Sequence, residues 1–91
     1  MKFVFGNPYT FEGTEYKEVE LDLESLTGTD ISAVKREWTR KGNFSALATT
    51  DIDFCAFIAA RAAKKPYEWV EQMPAKEYCK LAQEVSNFLM L

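Results

Sequence analysis

Phe11-Glu12-Gly13-Thr14-Glu15-Tyr16-Lys17-Glu18-Val19-Glu20-Leu21-Asp22-Leu23-Glu24-Ser25-Leu26-Thr27-Gly28-Thr29-Asp30 carries the chain from strand to helix. Gly13 can take the left-handed backbone angles of a tight turn, and Phe11 and Tyr16 flank it as aromatic residues do in paired strands. Val19, Leu21 and Leu23 then alternate with Glu18, Glu20, Asp22 and Glu24, which puts the apolar set on one face and the acids on the other. Thr27 precedes Asp30 by three residues. Its hydroxyl can accept a first-turn amide, while the Asp30 carboxylate sits near the positive end of a helix.

Outward from this run, residues 2–5 read as a short strand before Gly6-Asn7-Pro8, a turn signal. Residues 9–11 then pair with 15–23 across Gly13. The first helix is expected over about 28–41, with Ile31, Val34 and Trp38 on its inner face and Gly42 as a left-handed stop. Lys35, Arg36, Arg40 and Lys41 near its end complement the negative helix terminus. Residues 43–49 read as a loop carrying Phe44 and Leu47.

Thr50, with Asp53 three residues on, repeats the capping pattern and opens a second helix to about Lys64, where Phe54, Cys55, Ile58 and Ala62 share a stripe. Ala59, Ala60 and Ala63 are small enough for another helix to approach, so this helix should be central. Pro66 fits the first turn of a short third helix ending at Gln72, and Pro74 can start the last one. That helix spaces Tyr78, Leu81, Ala82, Val85, Phe88 and Leu89 as one apolar stripe. The expected fold class is α+β: an N-terminal antiparallel β-hairpin of two or three strands (1–26), then a bundle of three to four helices (27–91), in a single domain.

A chain of 91 residues buries only about 60–65% of the surface its unfolded form exposes. The net charge of −3, with acids crowded before Asp30, would repel a phosphate backbone and argues against a nucleic-acid partner. The longest apolar run, around residues 54–60, is too short to span a bilayer, and residues 1–5 are too short for a signal-peptide core. The expectation is therefore no membrane association and no export. Cys55 and Cys79 are the only thiols and the chain has no His, which removes the usual zinc spacings and Cys–His nucleophile pairs. Both are expected as buried free thiols rather than a disulfide.

No constellation supports catalysis, a cofactor or a metal. Asp51-x-Asp53 offers two carboxylates at a helix start without further spaced oxygen ligands, which suits capping better than a hard cation. The row Glu18, Glu20, Asp22 and Glu24 suits a solvated face that discourages edge-to-edge pairing. No glycine-rich phosphate loop is present. The surplus is apolar: Trp38, Phe44, Tyr67, Trp69, Phe88, Leu89, Met90 and Leu91 are many large residues for a small core. Phe88-Leu89-Met90-Leu91 would leave apolar side chains exposed unless another chain covers them.

The hairpin, the Leu26-Thr27-Gly28-Thr29-Asp30 cap and three downstream blocks resemble the phage tail assembly chaperone family, small proteins encoded just before the tape measure protein in long-tailed phages. Those blocks are Ala59-Ala60-Arg61-Ala62-Ala63; Pro66 with Glu68 and Trp69, then Met73-Pro74-Ala75-Lys76-Glu77-Tyr78; and Val85 with Phe88 and Leu89. The resemblance covers nearly the whole chain. It departs at Lys64-Lys65, where relatives often carry a glycine, and this leaves the helix stop there open.

The resemblance implies a non-enzymatic assembly factor in the host bacterial cytoplasm, which binds the tape measure protein and keeps it soluble until tube subunits polymerise around it. It implies a monomer or weak self-association. In many relatives a frameshift appends a second domain that recruits tail tube protein. On this reading an amphipathic groove covers apolar helical seams of the partner, and the expected partner-binding residues are Trp69, Val70, Leu81, Val85, Phe88 and Leu89. The rival expectation is a small homo-oligomeric structural head-tail or tail subunit, which would form closed rings or stable multimers.

Overall fold

Glu12 and Gly13 both have positive φ, at 50° and 81°, the backbone twist that closes a two-residue hairpin. The strands it joins are β1 (Lys2–Phe11) and β2 (Thr14–Glu20), an antiparallel pair. Four helices follow: α1 (Gly28–Arg40), α2 (Ile52–Ala62), α3 (Tyr67–Glu71) and α4 (Ala75–Met90). The fold is thus α+β, a two-stranded hairpin followed by helices, in a computed structural model that describes residues 1–42 and 51–90. The expected loop with Phe44 and Leu47, the Thr50 cap and Leu91 lie outside the described residues.

Gly6-Asn7-Pro8 is not a turn between strands. β1 runs through it, and the register shifts between the pairs Val4↔Glu18 and Tyr9↔Tyr16, so that four residues of β1 oppose only Lys17. The surplus forms a bulge. Phe3, Phe5, Tyr9 and Phe11 all face the core despite it. After β2 the chain leaves the ladder sooner than the alternation suggests. Leu21 and Leu23 are buried at 0% and 2% exposure, while the Asp22 N–H donates to the Ala62 carbonyl at 3.2 Å.

Each helix start has a local cause. At α1 the Asp30 carboxylate accepts from the Thr27 backbone N–H at 2.9 Å and from its hydroxyl at 3.2 Å. At α2 Asp51 caps the helix, as expected of the Asp51-x-Asp53 pair: its carboxylate accepts from the N–H groups of Asp53 and Phe54. Pro66 is the cap of α3 rather than a first-turn residue.

α2 stops at a Schellman motif. The Lys65 N–H donates to the Ala60 carbonyl at 2.9 Å and the Lys64 N–H to the Arg61 carbonyl at 3.1 Å, which forces Lys64 to φ 59°. Lys64 thus stands in the left-handed region that favours glycine.

α2 is the central helix: it touches α1, α3 and α4, and every residue from Phe54 to Ala60 is buried. Trp38 of α1 meets Phe54 edge-on at 5.5 Å, and Phe57 stacks on Tyr67 at 4.5 Å. No helix among the described residues is long and apolar enough to cross a membrane.

Candidate functional site

The six expected partner-binding residues divide sharply. Trp69, Val70, Leu81 and Val85 are each 0% exposed and belong to the molecule's own core. Trp69 and Val70 lie on α3, where the Trp69 ring sits among those of Phe5, Tyr9 and Tyr16 at 6.2, 6.1 and 5.6 Å. The Tyr9 hydroxyl donates to the Trp69 carbonyl at 2.7 Å, and burial is the main reason that hydroxyl's pKa is raised. Leu81 and Val85 lie on α4, which packs on α2. Phe88 and Leu89, the remaining two, are half-buried against the core, and Met90 beyond them is 63% exposed. The apolar surface of α4 is therefore its last turn rather than a groove along its length.

The start of α4 is anchored by polar contacts that the apolar stripe did not announce. Glu77, at 3% exposure, is the one buried charged residue among those described. Its Oε1 accepts from the Gly6 N–H in the bulge at 3.1 Å. Oε2 has no hydrogen-bond partner among the described residues, and the Lys80 ammonium lies 3.9 Å away. Glu77 stands four residues before Leu81 and eight before Val85, on the same helical face, so the spacing carried a signal that the charge obscured. Tyr78 donates to the Asp53 carboxylate at 2.6 Å. Burial, and then this bond, push its hydroxyl pKa up.

A second polar tie joins α1 to α2. Arg61 donates through Nε and Nη2 to Asp30 Oδ1 at 3.0 and 2.8 Å. The Thr27 N–H, and after it Arg61, hold the Asp30 carboxyl below its ordinary pKa. These contacts fix helices; none places a nucleophile beside a base.

Among the described residues no group of three or more His, Cys, Asp or Glu could hold a metal ion. Asp51 and Asp53 are engaged in capping and in the bond from Tyr78. Neither cysteine is in a disulfide, but only Cys55 is buried; Cys79 is exposed, because it falls on the outer side of α4, two residues before Leu81. Burial raises the Cys55 thiol pKa.

With the capped helix after a hairpin, the small-residue central helix and the apolar end of α4 established, one comparison bears on the whole chain. The family model described as "Phage tail assembly chaperone proteins, E, or 41 or 14" matches residues 2–90. The chain belongs to the phage tail assembly chaperone family. None of the curated proteins and none of the solved structures matches it. A phage tail assembly chaperone acts by binding tail proteins, so its working surface is sought among exposed side chains. Here those include the end of α4, Val4 of β1 and Ile52 at the start of α2, and the charged faces of the sheet and of α1.

Proposed function

We propose that this chaperone binds the tape measure protein without catalysis and keeps it soluble in the host cytoplasm during tail assembly. The observation that carries the reading is the last turn of α4, where Phe88 and Leu89 are half-buried and Met90 is 63% exposed, in a chain whose family assembles tails. A partner helix with an apolar seam would bury these side chains by the helix-on-helix contact that amphipathic segments make. Each fully buried side chain of this size contributes about 1.5–3 kcal/mol. One such contact is weak, so several copies would act together along a long partner.

Trp69, Val70, Leu81 and Val85 serve this reading indirectly, by holding α3 and α4 in place. Recruitment of tail tube protein would fall to a longer, frameshifted form.

The test is co-expression with the tape measure protein of the same phage genome, followed by pull-down and fractionation. Soluble co-purification supports the reading. Insoluble tape measure protein with no bound chaperone overturns it.

A further inference from the structure

Helix α2, the end of α3 and the start of α4 enclose an open groove of about 480 Å³, lined by Asp53, Phe57, Glu71, Met73, Ala75 and Tyr78. That is within the size range of ligand clefts. Its inner wall is apolar, with Phe57 and Met73 buried at 3% and 6% exposure. Its rim is anionic, with the Asp53 and Glu71 residues both exposed. Asp53 accepts from the Tyr78 hydroxyl through Oδ1 at 2.6 Å, and no cation pairs with it among the described residues. After burial and that bond, the charges of Asp53, Glu71 and Asp51 push the Tyr78 hydroxyl pKa up further, so the carboxylates act together on one point of the groove.

The chain itself sends a cation to this wall. The Lys41 ammonium, just past the end of α1, lies 5.9 Å from the centre of the Phe57 ring and 3.8 Å from Glu71 Oε1. The ring distance is that of a cation–π contact, while the distance to Glu71 is longer than a hydrogen bond. Lys41 therefore reports what the groove attracts without satisfying it, since one ammonium beside Glu71 leaves the charge of Asp53 uncompensated.

We propose that this groove receives an arginine side chain of the tape measure protein, which takes the place of the Lys41 ammonium over Phe57 and pairs with Glu71 and Asp53. The assignment rests on the tape measure reading only for which chain carries the arginine. A guanidinium suits the walls better than an ammonium does. Its plane lies against an aromatic ring and its fork of N–H donors meets carboxylates in parallel bonds, whereas an ammonium is a compact and more strongly hydrated charge. The contact would add a polar anchor, and with it a choice of partner segment, to the apolar one at the end of α4.

The test is titration of the isotope-labelled chain with N-acetyl-arginine amide and, separately, N-acetyl-lysine amide, followed through backbone amide shifts by NMR. Expected are saturable shifts confined to the groove residues and their neighbours, with the arginine probe bound more tightly than the lysine one. Glu71→Gln, an exposed change, should abolish them. Lys41→Ala should tighten binding by about 1.4- to 5-fold, the worth of the solvated pair that competes with the probe, while Lys35→Ala on the outer face of α1 should leave it unchanged. No shifts, shifts scattered over every carboxylate, equal affinity for the two probes, or binding that Lys41→Ala leaves unchanged or weakens would each overturn the proposal. The probe needs no second protein, so this result and the co-expression result fail separately. Where the wild type recovers soluble tape measure protein, Glu71→Gln should recover less, and equal recovery would also overturn the assignment.

Discussion

The Gly6 N–H and the Glu77 carboxylate are 3.1 Å apart across 71 residues of sequence, and through them the bulge of β1 is fastened to the first turn of α4. A Cβ at Gly6 would stand 3.0 Å from the same carboxylate oxygen, so a side chain there would crowd this bond and push the carboxylate aside. Glu77→Ala should lower stability by about 1 kcal/mol, because the Gly6 N–H is only part-buried and water can replace its lost acceptor. Glu77→Gln, which keeps an acceptor, should lose less. Urea melts rank the three proteins, and an alanine variant as stable as the glutamine one would remove this bond from the account.

Lys64 should be improved by the residue its backbone angles favour. Lys64→Gly is expected to raise stability by about 1 kcal/mol, because a side chain in the left-handed region costs roughly that much. The midpoint of thermal unfolding should rise by about 4–8 °C. Lys64→Val, branched at Cβ, should move it down.

Asp30 gives a signed acid dependence. Its carboxyl titrates lower in the folded chain than in the unfolded one, first because of the Thr27 N–H and then because of Arg61. The stabilisation is therefore present above the ordinary carboxylate pKa, near 4, and is lost as pH falls through the lowered folded value. The stability gap between the wild type and Asp30→Asn should be constant from about pH 5 to 7 and shrink below about pH 4. A gap that does not change with pH would place its origin elsewhere.

The two thiols should separate by reactivity. Cys79 is exposed, whereas Cys55 is buried with a raised pKa, and only an accessible thiolate attacks a disulfide reagent. One thiol per chain should react at once in the native state and the second only on unfolding. Mass spectrometry of the labelled peptide identifies which.

The end of α4 should uncouple binding from folding. Met90→Asp is an exposed change and should stay within about 0.5 kcal/mol of wild-type stability. Val85→Ala, inside the core, should cost more than that. If the last turn carries the partner, Met90→Asp and deletion of Phe88 to Leu91 both reduce recovery of soluble tape measure protein. Recovery equal to wild type in the deletion would move the surface elsewhere.

Gly13, Thr27 and Asp30 were readable because each determines its own few neighbours: a positive-φ turn, a cap, a first-turn carboxylate. The same locality explains the inner faces of α1 and α4. What misled was tertiary. Gly6-Asn7-Pro8 has turn chemistry, yet pairing on both sides and the distant Glu77 hold it as a bulge. The stripe on α4 named the apolar face but not how far α2 covers it, so Leu81 and Val85 look available in sequence and are not. Trp69 was hidden likewise by the aromatic side of β1. Phe88 and Leu89 lie at the edge of that cover, half-buried.

Both ties from β1 to the helices are long, 71 residues from Gly6 to Glu77 and 60 from Tyr9 to Trp69. On a ribosome adding about 5–20 residues per second, Gly6 waits roughly 4 to 14 s before Glu77 is even made. Until Trp69 is made, late in that interval, Phe5 and Tyr9 have no aromatic partner on α3. A protein whose family attends to other chains begins its own life with an unattended aromatic strand.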